Sequence, residues 1–157
     1  MRKLISTICA LMLLPLLAAP HPAMADPYVD NAAVDELFAE LRVADNEVEA
    51  GEISRQIWAY WFSPSDRSLA ARMAIASQLM SAGNLNGSLV ELDGIVNDFP
   101  DYAEGWNQRA TLYYMMKRDD AALKDLGHVL DLEPRHFGAL AGKGMIFERE
   151  KNYTAAL

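Results

Sequence analysis

The sequence predicts an all-α fold in which helix–turn–helix pairs stack into one array, and three observations support this prediction. A pattern of small, large apolar and proline residues recurs every 34 residues, as at Ala76 and Ala110 or at Pro100 and Pro134. Apolar residues inside the repeats follow the period of an α-helix. Glycine, asparagine and proline stand where helices would end. A repeat of this length is typical of helical arrays, because a single helix pair cannot bury both of its faces.

Three consecutive blocks carry the repeat, Leu69–Tyr102, Ala103–His136 and Phe137–Leu157. Small residues recur where two helices must touch, and large apolar residues recur where a core must be filled. The third block is incomplete, since it stops at its twenty-first place, early in its expected second helix. We therefore expect the array to occupy residues 69–157 and to leave the last helix pair uncapped at residue 157.

The helices of the repeats can be placed from their apolar stripes. The segments Trp106–Tyr113 and Ala121–Leu132 each carry apolar residues at helical spacing, which predicts one buried face per helix. Gly83–Asn84 is expected to break the chain between the two helices of the first block. Asp101, three residues before Glu104, has the spacing of a helix start.

The second block resembles the tetratricopeptide repeat most closely. Counted from Ala103, it has Trp106 at place 4, Ala110 at place 8, Tyr113 at place 11, Ala122 at place 20 and Pro134 at place 32. The resemblance extends from Leu69 to the end of the chain. It implies a tetratricopeptide helix-turn-helix array that winds as a right-handed α-α superhelix, and a scaffold that binds other proteins.

Place 7 departs from the family pattern, which prefers leucine there. It is Arg109 in the second block and Lys143 in the third. Long aliphatic stems can lie along an apolar surface while the charge reaches water. We therefore expect both residues to be tolerated substitutions and not a binding site.

The resemblance also implies which residues face a protein-binding groove. In similar arrays the first helices of successive repeats line a concave surface. Carried onto this chain, the candidate groove residues are Met73, Ser77, Met80, Asn107, Thr111, Tyr114, Met145 and Arg149. Only Asn107 and Arg149 suit the cluster with which some family members hold a peptide's terminal carboxylate. The methionines suit a surface that repacks around apolar side chains, although methionines at helical spacing are also common in cores.

The N-terminus has the pattern of a bacterial secretory signal peptide. Arg2 and Lys3 precede the apolar run Leu4–Leu17, and Ala23-Met24-Ala25 is an A-x-A cleavage sequence before Asp26. The run of 14 residues is shorter than the roughly 20 that a membrane-spanning helix needs. We expect residues 1–25 to be removed and the protein to be periplasmic, with a eukaryotic lumen as the alternative. The single cysteine, Cys9, lies inside the leader, which argues against a lipoprotein.

Residues 26–68 lack the repeat and are predicted to form an N-terminal helical cap. The stretches Asp35–Arg42 and Ile53–Phe62 each have an apolar helical face, and an acidic link containing Gly51 separates them. Terminal units of such arrays differ from the others because they close the end of the core. We expect the aromatic residues of the cap to dock on the first repeat. The alternative is an exposed aromatic patch for a partner.

Charge and motif content exclude several functions. The net charge is −8, and it becomes −10 without residues 1–25, which carry two cations and no carboxylate. An acidic surface argues against a nucleic-acid partner. His128 and His136 have no third ligand at metal-site spacing and are expected to be a surface pair. Because no nucleophile elbow or phosphate loop is present either, we expect neither an enzyme nor a cofactor.

The remaining function is interaction with another protein. The leading hypothesis is a periplasmic adaptor that captures a peptide or a helix of an envelope protein in the groove. One alternative is a structural module that self-associates through its uncapped C-terminal face. Another alternative is an accessory domain of a longer protein.

Overall fold

The computed structural model describes residues 25–149, and within this range it contains seven α-helices and no strand. The helices are α1 Asn31–Leu41, α2 Glu47–Phe62, α3 Arg67–Ser81, α4 Leu85–Asp98, α5 Ala103–Met115, α6 Asp119–Leu132 and α7 Phe137–Arg149. Consecutive helices pack as pairs, α1 with α2, α3 with α4, and α5 with α6, while α7 packs on α6. The predicted fold class, an all-α array of helix–turn–helix pairs, is confirmed.

The turns inside the first two repeats have the same geometry. Gly83 has a φ of 76°, and Lys117, 34 residues later, has a φ of 59°. The amide of Gly83 donates to the carbonyl of Met80 at 3.0 Å, and that of Lys117 donates to the carbonyl of Tyr114 at 3.1 Å. The 34-residue period therefore extends to backbone hydrogen bonds, which side-chain patterns do not specify directly.

The N-terminal hairpin is longer than the sequence suggested. We expected Gly51 in a link between two short helices, but α2 begins at Glu47 and includes it. The side chain of Asn46 accepts hydrogen bonds from the amides of Val48 and Glu49 at 3.1 and 3.0 Å, so it caps the helix start. A strong N-cap, followed by two acidic residues in the first turn, outweighs the modest cost of one internal glycine.

Small residues let the paired helices approach closely. The side-chain hydroxyl of Ser88 in α4 donates to the carbonyl of Ala76 in α3 at 2.9 Å. At the equivalent places of the second repeat, Ala110 and Ala122 are both buried in one apolar cluster with Ile146 of α7. This cluster joins α5, α6 and α7 into a continuous core.

Two predictions fall outside the described residues. The signal peptide lies almost entirely in residues 1–24, and the end of the third block lies in residues 150–157. Within residues 25–149, none of the helices has both the length and the apolar character needed to cross a membrane.

Candidate functional site

A groove lies between α2 and the first helices of the repeats, α3, α5 and α7. It contains two pockets, which we call the first and the second pocket. The first has a volume of about 200 Å³ and lies over α3; its lining includes Phe62, Ala70, Met73, Ala74, Ser77, Met80 and Gln108. The second has a volume of about 290 Å³ and lies between α5 and α7; its lining includes Trp58, Asn107, Gln108, Thr111, Tyr114, Ala141 and Met145. Gln108 lines both pockets, so they adjoin.

Helix α2 forms an aromatic wall along the groove. Trp58 and Phe62 lie one helical turn apart on α2, and their ring centroids are 5.4 Å apart. Trp58 borders the second pocket, whereas Phe62 borders the first and remains 47% exposed. Met145, on the other side of the second pocket, is 49% exposed. The groove thus presents apolar surface to solvent at both ends.

The hairpin does not dock where we expected. Its aromatic residues were predicted to cover the first repeat, but Trp61 stacks on His136 with ring centroids 4.0 Å apart. Trp58 meets Phe137 edge-on at 5.1 Å. Toward the first block, Phe62 borders the pocket over α3, and the Tyr102 hydroxyl donates a hydrogen bond of 2.6 Å to the carbonyl of Trp61. The hairpin therefore lies across the array, beside α5 and the start of α7.

A glycine at the start of α7 makes this docking possible. A Cβ atom added to Gly138 would lie 2.5 Å from Cη2 of Trp58 and 3.3 Å from Cε1 of His136. The indole cannot retreat easily, because it also packs against Trp61 and Phe137. Position 138 must therefore lack a side chain for α2 to reach α7.

A buried polar cluster lies beneath the docked hairpin. His136 and Glu104 are 0% and 1% exposed, and Nε2 of the histidine lies 3.0 Å from Oε2 of the glutamate. The amide of Ala139 donates to Nδ1 of His136 at 3.2 Å, so the proton is assigned to Nε2, which donates to Glu104. Asn107 and Gln108 also donate their amide groups to Glu104. Each polar group has a partner within the fold, as burial requires.

The two histidines are therefore not a surface pair, as the sequence had suggested. His128 is exposed and lies 4.6 Å from the ring of Trp106, whereas His136 is fully buried under Trp61. The turn after Pro134 would be open to water in an isolated repeat, and it is the hairpin that covers it. Across residues 25–149 no three acidic, histidine or cysteine side chains are grouped as a metal site would require.

The N-terminal segment is held by one carboxylate. Asp26 is 7% exposed and accepts hydrogen bonds from the amide of Ala103 at 3.1 Å and from that of Tyr28 at 2.9 Å. Helix α5 has no side-chain cap from its own N-cap residue, so Asp26, and not the predicted Asp101, supplies this contact. Burial raises the pKa of Asp26 to about 6, and the amide hydrogen bonds offset this only in part.

The groove residues predicted from the sequence fall into two sets. Met73, Ser77 and Met80 line the first pocket, and Asn107, Thr111, Tyr114 and Met145 line the second. Arg149 lines neither pocket. Its guanidinium lies 3.8 Å from the ring centroid of Tyr114, and its Nε donates to Asp119 at 2.9 Å.

A carboxylate clamp is not formed by these residues. The side-chain amide of Asn107 donates to Glu104, and the guanidinium of Arg149 is paired with Asp119. The two candidates from the sequence thus already have acidic partners within the chain. A terminal carboxylate in the groove would have to displace one of these partners, which is unfavourable.

The sequence did not identify the residues that close the groove. Trp58 and Phe62 had been assigned to the cap, and Gln108 was not singled out. The spacing of the two aromatic residues, four positions apart on one helix, was visible, but the surface that they face depends on the docking of α2. That docking is fixed by contacts between distant parts of the chain, such as Trp61 with His136 and Trp58 with Phe137.

Arg109 also differs from its expected role. Its charge does not extend into water, because its Nε and Nη2 donate to Asp125 at 2.7 and 2.8 Å and its Nη1 donates to Asp93 at 2.9 Å. Burial, the largest single cause, would lower the pKa of Arg109. The hydrogen bonds and charge of Asp125, together with smaller contributions from Tyr113 and Asp93, outweigh it, so the pKa is raised. The residue therefore ties α5 to α6 and α4 through charge.

The chain is similar to a TPR repeat-containing protein of Rhizobium etli. The two sequences are 34% identical over 119 residues, which is 76% of this chain and 58% of the relative. The chain thus spans somewhat less than two thirds of that protein's length. No protein-family model matches the chain. No solved structure matches it either.

Proposed function

We propose that this chain is a tetratricopeptide-repeat protein of the bacterial periplasm that acts as a non-catalytic adaptor and holds a peptide or helix of an envelope protein in its groove. The observation that carries the proposal is the pair of adjoining pockets between α2 and the first helices of the repeats. The similarity to a TPR repeat-containing protein supports a role in protein–protein interaction.

The chemistry of the pockets favours a protein segment as the ligand. No charged side chain lines either pocket, and the walls combine methionine, alanine and aromatic groups with a few uncharged polar side chains such as Gln108 and Thr111. Such surfaces bind apolar side chains, and methionine lets the surface adapt to their shape. The buried polar groups that could perform chemistry, Glu104 and His136, line neither pocket. They are bonded to one another and covered by Trp61, which supports a structural role.

Export is supported by the leader sequence and by the residue that follows it. Asp26, the first residue after the A-x-A sequence, is buried and caps α5. A mature chain that begins at Asp26 would therefore keep every contact described for the N-terminal segment. Mass spectrometry of the protein from a periplasmic extract should give an N-terminus at Asp26. An intact Met1 on a cytoplasmic protein would contradict the proposed location.

Site-specific crosslinking tests the binding role. A photoreactive amino acid at Ala74 or Met145, one in each pocket, should crosslink one protein in living cells. The same amino acid at Val90, which is 71% exposed on α4, is the matched control. Thr111→Arg, in the second pocket, should abolish the crosslink from Met145. Crosslinks that are equal at Val90, or that persist in Thr111→Arg, would contradict binding in the groove.

A further inference from the structure

A third pocket lies outside the groove, where the N-terminal segment meets α1 and the turn after α6. Its volume is about 200 Å³, and its lining includes Ala25, Asp26, Asp35, Trp61, Glu133 and Arg135. Ala25 is exposed, whereas Asp26 is 7% exposed. The backbone therefore passes from solvent into this pocket between residues 25 and 26.

The third pocket has an excess of negative charge. Its lining contains three carboxylates and one cation, the guanidinium of Arg135. That guanidinium is already shared, because it donates to Glu133 at 2.8 and 2.7 Å and to Asp35 at 2.7 Å. Asp26 is held by two backbone amides. Burial raises the pKa of Asp26 to about 6, and the charges of Asp101 and Glu133 add to this rise.

We propose that the third pocket binds the α-ammonium group that forms at Asp26 when the leader is removed, and that this group locks the N-terminal segment onto α5. The proposal rests on the cleavage after Ala25 that is part of the proposed function. Before cleavage the nitrogen of Asp26 belongs to a peptide bond and carries no charge. After cleavage it is an α-amino group, which is protonated near pH 7. Cleavage thus adds a second cation to a pocket that has one cation for three carboxylates.

Covalent geometry keeps the ammonium group in this pocket. The nitrogen of Asp26 is three bonds from the carboxyl carbon of the same residue, so the two atoms are at most about 4 Å apart. The carboxylate is itself held in place by the amides of Tyr28 and Ala103. Opposite charges at this separation attract more strongly where water is largely excluded. Because the backbone at Ala25 is exposed, the ammonium group keeps part of its hydration, which limits the cost of its burial.

Removal of the leader should therefore stabilise the docked segment. The pKa of Asp26 should fall below the value of about 6 that it has with a peptide bond before it, because the ammonium group favours the ionised carboxylate. The pKa of the ammonium group should rise for the same reason. Its stabilising contribution is then present below about pH 8, the pKa of an unfolded α-amino group, and is lost as the pH rises through the higher folded value. The precursor is thus less stable than the mature protein, which couples folding to processing.

Three chains that end at residue 157 test this coupling. One begins at Asp26 with a free amine, the second is the same chain acetylated at its N-terminus, and the third begins at Met24. Acetylation removes the charge in place, and the Met24 chain moves it two residues outward. At pH 7 the unfolding equilibrium constant of the free-amine chain should be at least tenfold smaller than that of either other chain, as measured by urea unfolding. In Asp26→Asn the effect of acetylation should fall to threefold or less.

The pKa of the α-amino group assigns the effect to the third pocket. It is measured from the pH dependence of acylation of the N-terminus, followed by mass spectrometry, and should lie at least one pH unit above the ordinary value of about 8. Glu133→Gln should lower it by at least half a unit, because one carboxylate of the pocket is removed. Asp120→Asn, which is exposed at the other end of α6 and about 20 Å away, should leave it unchanged. The comparison of free and acetylated amines does not depend on how well Glu133→Gln folds.

The outcomes separate this proposal from the proposed function. Equal unfolding of the free-amine, acetylated and Met24 chains, or an α-amino group with an ordinary pKa, would overturn the role of the third pocket and leave export and the adaptor standing. These chains have defined first residues, so this result does not depend on where the cell cleaves. An N-terminus other than Asp26 on the periplasmic protein would contradict the proposed cleavage, and the ammonium group would then not form in this pocket in the cell.

Discussion

Lys117 shows how the repeat constrains one residue. Its φ of 59° lies in the left-handed region, where the first repeat has Gly83. Side chains with a Cβ are strained in this region, whereas glycine is not. The sequence could suggest a turn between α5 and α6 but not this strain, because lysine alone gives no indication of a positive φ.

Lys117→Gly should therefore stabilise the protein by about 0.5–1 kcal/mol, since the relief of strain exceeds the added backbone entropy of glycine. Gly83→Ala, the reciprocal change in the first repeat, should destabilise it by about 1 kcal/mol. Urea unfolding followed by circular dichroism measures both. If Lys117→Gly lowers the midpoint, the turn does not have the geometry described.

The Arg109–Asp125 pair gives a second prediction for single residues. The side chain of Asp125 is 3% exposed and that of Arg109 is 15% exposed. Arg109→Leu should destabilise the protein by about 3 kcal/mol, because it leaves a buried carboxylate without its partner. The double variant Arg109→Leu/Asp125→Leu should recover most of this loss, since the uncompensated charge is removed as well. A double variant no more stable than Arg109→Leu would mean that the pair is not coupled.

The contact of α5 with α6 depends on small residues at one level of the core. Ala110 and Ala122 are 1% and 0% exposed. Ala122→Leu should overpack this contact and destabilise the protein by about 1–3 kcal/mol. Ala121→Leu, at a less buried position of α6, is the control. A comparison of the melting temperatures of the two variants separates overpacking from any change in helix propensity. Equal melting of the two variants would place Ala122 away from the helix contact.

The docking of α2 on α7 can be tested through Gly138. Gly138→Ala should push Trp58 away and lower the stability by about 1–3 kcal/mol, because the added Cβ has no space. Gly127→Ala is the matched control, since nothing lies within 4 Å of its Cβ position in α6. That change should stabilise the protein by up to about 1 kcal/mol through helix propensity. A stabilising Gly138→Ala would contradict the docked position of the hairpin.

The helices of the 34-residue repeat could be predicted from the sequence, but the contacts between helices that are distant along the chain could not. Apolar spacing, Gly83–Asn84 and the two prolines located the helices of the repeats, because each of these features acts within a few residues. The burial of His136 and the aromatic wall of the groove depend on a contact between α2 and α7. No local pattern encodes that contact, so the interpretation of the sequence assigned Trp58 and Trp61 to the wrong repeat.

At the scale of the whole molecule, the hairpin changes the shape of the groove. A groove lined by α3, α5 and α7 alone would be open along one side, but α2 closes that side with Trp58 and Phe62. The residues of the 34-residue repeat supply the floor, and the non-repeating segment supplies the wall. In the proposed adaptor both parts would contact the ligand, and the N-terminal segment must stay docked for the groove to keep this shape.

Asp26 links that segment to the array, and its ionisation should make the link dependent on pH. Burial raises its pKa to about 6 in the folded chain, with further contributions from Asp101 and Glu133, against 3.8 for an unperturbed aspartate. The folded state therefore binds a proton that the unfolded state has already lost between these two values. The stabilising contribution of Asp26 is thus fully present below about pH 4 and is lost as the pH rises through 6.

Comparison with Asp26→Asn isolates this contribution, because asparagine keeps an acceptor for the amide of Ala103 but does not titrate. The free energy of unfolding of the parent, minus that of Asp26→Asn, should decrease by about 2–3 kcal/mol between pH 4 and pH 7. Urea unfolding of chains that begin at Met24 measures it, since the peptide bond before Asp26 is then retained. The other titrating groups contribute equally to the unfolding free energies of the two proteins, so their contributions cancel in this difference. A difference that stays constant over this range, or that increases with pH, would mean that the carboxylate of Asp26 is exposed to water and does not hold the N-terminal segment on α5.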